Sequence, residues 1–190
     1  MVEFTLAHRS STTGHICGRR LIVRLVDGAS VTVRAVCDNQ RDDDALQRLY
    51  LSFSDRTRYL YFLAGVPATQ TWAERFAALS HPDGGRSAAV AAEVDGELVG
   101  FACFRQGPRA DPDDHTAEIG IALADAWQGR GLGGHLLTWL AREARRCDVT
   151  TLIAETAAEN RRMIRLARRV FPCVRIVTAS GSCMLTIDLG

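Results

Sequence analysis

Alternating apolar and polar residues, together with short apolar runs, predict eight β-strands along the chain. Two pairs of these strands are separated by an Asp-Gly dipeptide, which is typical of the two-residue turn of a β-hairpin. The first pair flanks Asp27-Gly28 and the second flanks Asp95-Gly96. The predicted strands are 20–26, 29–36, 88–94, 97–105, 117–123, 150–156, 174–178 and 183–189.

Apolar residues spaced three and four apart predict four α-helices. Acidic residues 42–44 open the first helix, where they suit the helix dipole, and Thr71 is expected to cap the second. The predicted order is a hairpin, two helices, three strands, a helix, a strand, a helix and two strands. This order predicts an α+β domain with a mixed, mostly antiparallel central sheet flanked by helices. The predicted helices are 42–53, 72–79, 132–144 and 160–170.

The length of 190 residues is that of one domain with at most a modest extension. Residues 1–19 are polar and have no clear periodicity, so we expect a flexible N-terminal arm followed by one domain over residues 20–190. No apolar run approaches the ~20 residues needed to cross a bilayer, and the N-terminus lacks the basic and apolar regions of a signal peptide. These features predict a cytoplasmic protein that does not bind a membrane.

Composition and charge narrow the classes of function further. Hydrophobic residues make up 47% of the chain and charged residues 24%, as in an ordinary globular protein. The formal net charge of +1 argues against a general nucleic-acid-binding protein, which carries a strong basic excess. None of the six cysteines forms a C-x-x-C pair. We therefore interpret the cysteines as reduced, packed thiols and expect no metal site.

A glycine-rich stretch, residues 129–134, contains four glycines and lies between a predicted strand and a predicted helix. Glycines let backbone amides crowd around a ligand, and the first amides of a helix have no partner within the helix. The positive end of the helix dipole favours an anion at the same place. Arg130 adds a positive charge, and no acidic side chain lies between Gln128 and Ala141. The stretch therefore predicts a pyrophosphate site.

The glycines fit two nucleotide-binding patterns. Gly129, Gly131 and Gly134 satisfy G-x-G-x-x-G, but a dinucleotide fold places these glycines directly after a strand, and here residues 124–128 intervene. A Walker A loop requires a lysine, and this chain contains none. Gln128, Gly131 and Gly133 form the second pattern, Q-x-x-G-x-G. A glycine-rich turn without any ligand is a further alternative, although glycines this dense destabilise the start of a helix.

The Q-x-x-G-x-G pattern resembles the acetyl-CoA loop of the GCN5-related N-acetyltransferase (GNAT) superfamily. From Val31 to Phe171 the chain is similar to the acetyltransferase domain of the bacterial Pat-type protein lysine acetyltransferases, which modify acyl-CoA synthetases. The segments that carry this similarity are F-S-D-R-T-R-Y-L-Y-F at 53–62, A-E at 117–118 and A-E-N-R-R-M at 158–163, followed by L-A-R at 166–168. The chain departs from this group at Val170, where a glycine is common.

The resemblance implies the GNAT fold, acetyl-CoA as co-substrate and no metal ion. It implies that Glu118 acts as general base, and that Gly120, Ile121 and Ala122 offer backbone groups to the pantetheine arm. It also implies a pantetheine contact from Asn160. The remaining candidates hold phosphate groups: Gln128, Gly129, Arg130, Gly131, Leu132 and Gly133 around the pyrophosphate, and Arg161 or Arg162 at a CoA phosphate.

The chemistry of acetyl transfer to an amine supports a carboxylate base. A lysine ammonium with a pKa of ~10.4 must lose a proton before it attacks, and a carboxylate can take that proton directly or through a water. Glu118 is the first candidate because it begins the strand beside the expected thioester, and Glu155 on the next strand is the second.

Three functions remain open from the sequence. The first is acetylation of a protein lysine side chain, such as that of an acyl-CoA synthetase. The absence of tyrosine from residues 160–171 favours it, because many small-molecule enzymes of this family use a tyrosine there as general acid. The second is acetylation of a small amine, such as an antibiotic or a polyamine. The third is a non-catalytic acetyl-CoA-binding module. The protein is expected to be a monomer or a dimer.

Overall fold

The computed structural model describes residues 20–81, 86–106 and 115–190, and the arm expected over residues 1–19 lies outside these ranges. The strands are β1 Arg20–Arg24, β2 Ser30–Ala35, β3 Ser87–Val94, β4 Glu97–Arg105, β5 Thr116–Leu123, β6 Thr151–Ala157, β7 Arg175–Ala179 and β8 Ser182–Asp188. The helices are α1 Gln40–Ser52, α2 Asp55–Phe62, α3 Gln70–Ser80, α4 Leu132–Arg146 and α5 Arg161–Val170. A short 3-10 turn, Asp125–Trp127, precedes the glycine-rich stretch.

One sheet contains all eight strands in the order β1-β2-β3-β4-β5-β6-β8-β7. Every neighbouring pair is antiparallel except β5 and β6, which are parallel. Parallel neighbours require a crossover connection, and α4 provides it here. The α+β class and the mixed, mostly antiparallel sheet predicted from the sequence are therefore confirmed.

Side chains on the two faces of the sheet form two hydrophobic cores. Successive residues of a strand point to opposite faces, so Val90 and Ala92 join one core whereas Ala89 and Ala91 join the other. The first core is filled mainly by α4, whose buried residues include Leu132, Leu136, Leu137, Leu140 and Ala144. The second core is aromatic and lies against α1, α2 and α3. These two layers fix β5, the strand that carries the candidate base, from both sides.

The predicted elements are confirmed to within about two residues at each end, with two corrections. Helix α2 was not predicted, because its mixture of basic and aromatic residues hides any apolar period. The Ser54 hydroxyl caps this helix by accepting a hydrogen bond from the Thr57 amide. Thr71 was the wrong cap for α3. The Thr69 side chain accepts from the Trp72 amide instead, and the helix begins at Gln70.

Two other expectations concern cysteines and membranes. The interpretation of every cysteine as a reduced thiol is wrong at Cys37, which is disulfide-bonded. A disulfide depends on how the fold brings two cysteines together, so the absence of a local pair motif did not exclude it. Within the described ranges, no helix is long and apolar enough to cross a membrane.

Candidate active site

The parallel strands β5 and β6 separate part of the way along their length. Their pairing ends at Glu118 and Ile153, whereas β5 stays paired with β4 as far as Leu123. On the other side, β6 stays paired with β8 as far as Ala157. The two strands therefore leave a wedge-shaped opening, with β5 residues 119–123 along one edge. Backbone groups at such an edge can pair with an extended ligand. The predicted pantetheine contacts Gly120, Ile121 and Ala122 lie along this edge.

The glycine-rich stretch forms the turn that leads into α4. Gly129 has φ +77° and Gly131 has φ +92°, a left-handed conformation that side chains with a Cβ rarely adopt. Gly131 is the N-cap residue of α4, and no side chain caps this helix. Among the described residues, none accepts a backbone hydrogen bond from the amides of residues 129–133. Free amides at the positive end of a helix fit an anion such as the pyrophosphate of CoA.

Gln128 occupies the junction between this turn and three other elements. Its Nε2 donates to Thr57 Oγ1 at 2.9 Å and to the Leu123 carbonyl at 3.1 Å. Its Oε1 accepts from Arg162 Nη1 at 3.1 Å. Its backbone amide donates to the Asp125 carbonyl, so the amides without an intramolecular acceptor begin only at Gly129. The Gln128 side chain thus holds the turn against α2, β5 and α5.

Arg130 is held on the flank of the turn by two contacts. Its Nε donates to a carboxylate oxygen of Asp27, which lies in the β1–β2 turn. Its guanidinium carbon lies 4.1 Å from the centre of the Trp127 ring, a cation–π distance. The hydrogen bond from Arg130 is also the main reason why the pKa of Asp27 is lowered. The positive charge of Arg130 is therefore partly neutralised by a carboxylate at the edge of the candidate phosphate site.

The start of α5 forms the opposite wall of the opening. The Asn160 side chain caps α5 by accepting from the Met163 amide at 3.2 Å, and its Nδ2 donates to Thr156 Oγ1 at 3.0 Å. Arg161 and Arg162 are both exposed in the first turn of this helix. The exposed side chains of Arg56 in α2 and Glu159, just before α5, form an ion pair with an N–O distance of 2.7 Å. This ion pair links α2 to the start of α5.

Two carboxylates face the same side of the sheet beside this opening. Glu118 is opposite Ile153 in the β5–β6 register, so Glu155, two residues further along β6, points to the same face as Glu118. Both side chains are exposed. The pKa of Glu118 is raised, first by desolvation from the surrounding protein and second by the charge of Glu155. The two base candidates therefore lie close enough to influence each other.

The sequence did not reveal that Tyr61 and Cys103 also belong to this site. Tyr61 projects from α2 onto β5, and a Cβ added at Gly120 would lie 2.9 Å from its hydroxyl oxygen. Cys103 is the β4 partner of Gly120. Burial raises the pKa of the Cys103 thiol to about 11 and holds the pKa of Tyr61 well above its ordinary value. The family resemblance of residues 53–62 indicates that this segment matters for function. Only the folded helix shows which of its aromatic residues faces β5.

Comparison with known proteins gives three further findings. A family model described as the Acetyltransferase (GNAT) family matches residues 40–171. The L-methionine sulfoximine/L-methionine sulfone acetyltransferase of Salmonella typhimurium is 35% identical over 77 residues, which make up 40% of this chain. That match spans only 45% of the length of the curated relative.

Solved structures provide the third finding. The GNAT domain of S. lividans PAT superposes with a TM-score of 0.76 at 27% identity, covering 89% of this chain and 96% of that domain. The structure of yncA, a putative acetyltransferase from Salmonella typhimurium with acetyl-CoA, has a TM-score of 0.60 at 21% identity, covering 85% and 95% of the two chains. The second likeness establishes a shared fold.

Proposed function

The chain belongs to the acetyltransferase (GNAT) family, and from this premise we propose that it transfers the acetyl group of acetyl-CoA to a lysine side chain of a protein. One observation carries the proposal. The uncapped amides of residues 129–133 lie beside the β5–β6 opening, and Glu118 lies near the start of the strand that forms one edge of that opening. An anion site, a groove for an extended arm and a base candidate are thereby adjacent.

The binding part of the proposal follows the shape of this groove. The pyrophosphate accepts hydrogen bonds from the amides of residues 129–133, and the pantetheine arm pairs with the free edge of β5 at residues 120–122. Arg161 and Arg162 supply positive charge to a CoA phosphate from the wall formed by α5. Asn160 keeps that wall in place as the cap of the helix. Acetyl-CoA supplies the activated thioester when it is bound.

The proton-transfer part of the proposal assigns the base to Glu118. The acceptor ammonium has an ordinary pKa of ~10.4 and must lose a proton before the amine can attack. A carboxylate with a raised pKa is a stronger base than an ordinary glutamate. Glu118 therefore takes the proton directly or through one water, and a backbone amide of β5 donates to the carbonyl oxygen of the acetyl group.

Three observations bear on the choice of acceptor. A protein lysine is supported by the similarity to the GNAT domain of S. lividans PAT over most of both chains. It is also supported by α5, which contains no tyrosine. A small amine is the second candidate, because the curated relative at 35% identity is named for acetylating methionine derivatives.

A labelling experiment separates the candidate acceptors. The chain is incubated with radiolabelled acetyl-CoA and a bacterial lysate, and the products are separated into protein and small-molecule fractions. We expect hydroxylamine-stable label on lysines of other proteins. The chain contains no lysine, so such label cannot arise from its own side chains. Label confined to small amines would support the second candidate, and no transfer beyond a Glu118→Gln control would indicate a non-catalytic acetyl-CoA-binding module.

Asp27→Asn is expected to tighten acetyl-CoA binding by about twofold to fivefold, the range of an exposed ion pair. The substitution removes a negative charge next to the candidate phosphate site and frees Arg130 to contact the ligand. Asparagine keeps the side-chain oxygen that accepts from the Ala29 amide, so the turn should survive. Calorimetric titration measures the change. Asp95→Asn, in the other Asp-Gly turn, is the matched control. Weaker binding would instead mean that Asp27 serves to hold Arg130 in place.

Glu155→Gln is expected to shift the acid limb of the kcat/KM profile to lower pH. The charge of Glu155 raises the pKa of Glu118, so its removal lowers that pKa and leaves Glu118 ionised under more acidic conditions. Rates measured from pH 4 to pH 9 test this expectation. Glu97→Gln makes the same change in net charge at an exposed position of β4 and should leave the limb in place. An unchanged limb in Glu155→Gln would remove Glu155 from the site.

A further inference from the structure

Tyr61 stands at the point where β5 and β6 begin to separate. A Cβ added at Gly120 would approach its Oη to 2.9 Å and its Cε2 to 3.1 Å, closer than ordinary van der Waals contact. The phenol therefore packs directly on the backbone of β5, in a space that exists only because residue 120 is glycine. Gly120 lies two residues after Glu118, the last β5 residue that pairs with β6, and points to the same face of the sheet.

The Tyr61 ring is held in this position by other aromatic side chains. Its centroid lies 4.8 Å from that of Phe62, 5.6 Å from that of Phe76 and 6.1 Å from that of Phe101. These rings belong to or pack against the buried core under α1–α3. A ring confined on several sides cannot rotate away without disturbing that core. Tyr61 therefore forms a fixed wall rather than a movable lid.

The pKa of the Tyr61 hydroxyl determines whether this group can donate a proton to a thiolate or only a hydrogen bond. Burial, and then the neighbouring Cys103, hold the pKa of Tyr61 well above its ordinary value, so the hydroxyl stays neutral. An ordinary thiol has a pKa of ~8.5, so proton transfer from this phenol to a thiolate would run uphill. The role of Tyr61 is thus to fill space and to donate a hydrogen bond.

We propose that Tyr61 closes the acyl end of the acetyl-CoA site and restricts the transferred group to acetyl. This inference rests on the function proposed above, which places the thioester beside Glu118 and the pantetheine arm on residues 120–122. An acyl chain longer by one methylene would then extend toward the phenol on the same face of β5. The Tyr61 ring, which packs directly on Gly120, would then block that extension.

Acyl preference tests the proposal through two variants. Tyr61→Phe removes only the oxygen and keeps the aromatic packing, whereas Tyr61→Leu opens space for at least one methylene. One methylene in a well-packed pocket changes selectivity about 10- to 200-fold. We expect Tyr61→Leu to raise the ratio of propionyl-CoA to acetyl-CoA affinity within this range, and Tyr61→Phe to raise it less. Tyr59→Leu is the control, because Tyr59 is an exposed tyrosine of the same helix.

Calorimetry with acetyl-CoA and propionyl-CoA measures the two affinities and does not require an identified acceptor. The rates of acetyl and propionyl transfer to lysate protein provide a second readout. Circular dichroism establishes that each variant is folded, and Tyr61→Phe retains the ring if Tyr61→Leu does not fold. Folded variants that bind acetyl-CoA and keep the wild-type acyl preference would overturn the role of Tyr61 alone. Failure of the wild-type chain to bind acetyl-CoA would overturn the proposed function itself.

Discussion

Replacing Glu118 with glutamine is expected to lower turnover about 10²–10⁴-fold, the usual cost of losing a general base. Glutamine has nearly the same shape but cannot take a proton from the acceptor ammonium. Because Glu118 lies at the start of β5 and not in the glycine-rich turn, acetyl-CoA affinity should stay near that of the wild type. Steady-state rates with saturating acceptor measure the first quantity, and calorimetry measures the second.

The pH dependence of the rate makes this prediction more specific. The pKa of Glu118 is raised. As the solution is acidified, the wild-type rate should therefore begin to fall at a higher pH than it would with an ordinary glutamate as base. Glu118→Gln should lose this limb, whereas the control Glu97→Gln should keep both the limb and the rate. A folded Glu118→Gln variant within twofold of the wild-type rate across pH 6 to 9 would move the role to Glu155 or to a chain of waters.

Replacing Gly131 with glutamate is expected to abolish acetyl-CoA binding. The new carboxylate would lie next to the free amides of residues 129–133 and would repel the pyrophosphate. Space is not the obstacle, because a Cβ at Gly131 meets no atom within 4 Å. The φ of +92° does impose a backbone strain of about 1–3 kcal/mol on any side chain. The effect of the added charge on binding must therefore be separated from the effect of this backbone strain.

Gly131→Ala is the matched variant that makes the separation. It carries the same conformational strain at φ +92° but adds no charge. We expect Gly131→Ala to bind acetyl-CoA more weakly than the wild type, and Gly131→Glu to show no measurable binding. Thermal unfolding of both variants should show similar destabilisation. Unchanged affinity in a folded Gly131→Glu variant would remove the pyrophosphate from this turn.

The sequence predicts the strands well because they are alternating or short apolar runs and because two of the hairpins carry Asp-Gly turns. The strand pattern identifies both base candidates, Glu118 and Glu155, whereas their proximity depends on the pairing of β5 with β6. Helix α2 escaped prediction because Arg and Tyr residues are interspersed along its length and its burial depends on packing against β5. Local pattern reveals such a segment only when one of its faces is apolar.

Contacts between distant parts of the chain lay beyond prediction. Asp27 and Arg130 are 103 residues apart, and nothing in either local sequence indicates that a hairpin turn reaches the glycine-rich stretch. The packing of Tyr61 on Gly120 likewise depends on how α2 lies across the sheet. The Cys37 disulfide could not be predicted for the same reason, because disulfide partners are set by the fold and not by spacing.

The most direct test of the proposed acetyl-CoA site is an amide spectrum of the isotope-labelled chain recorded during titration with acetyl-CoA. The proposed site predicts that the largest changes in chemical shift occur at the amides of residues 129–133 and along residues 119–122 of β5. It also predicts that Gly131→Glu removes these changes. Saturable changes confined to another part of the protein, with residues 119–122 and 129–133 unaffected, would contradict the assignment of the acetyl-CoA site.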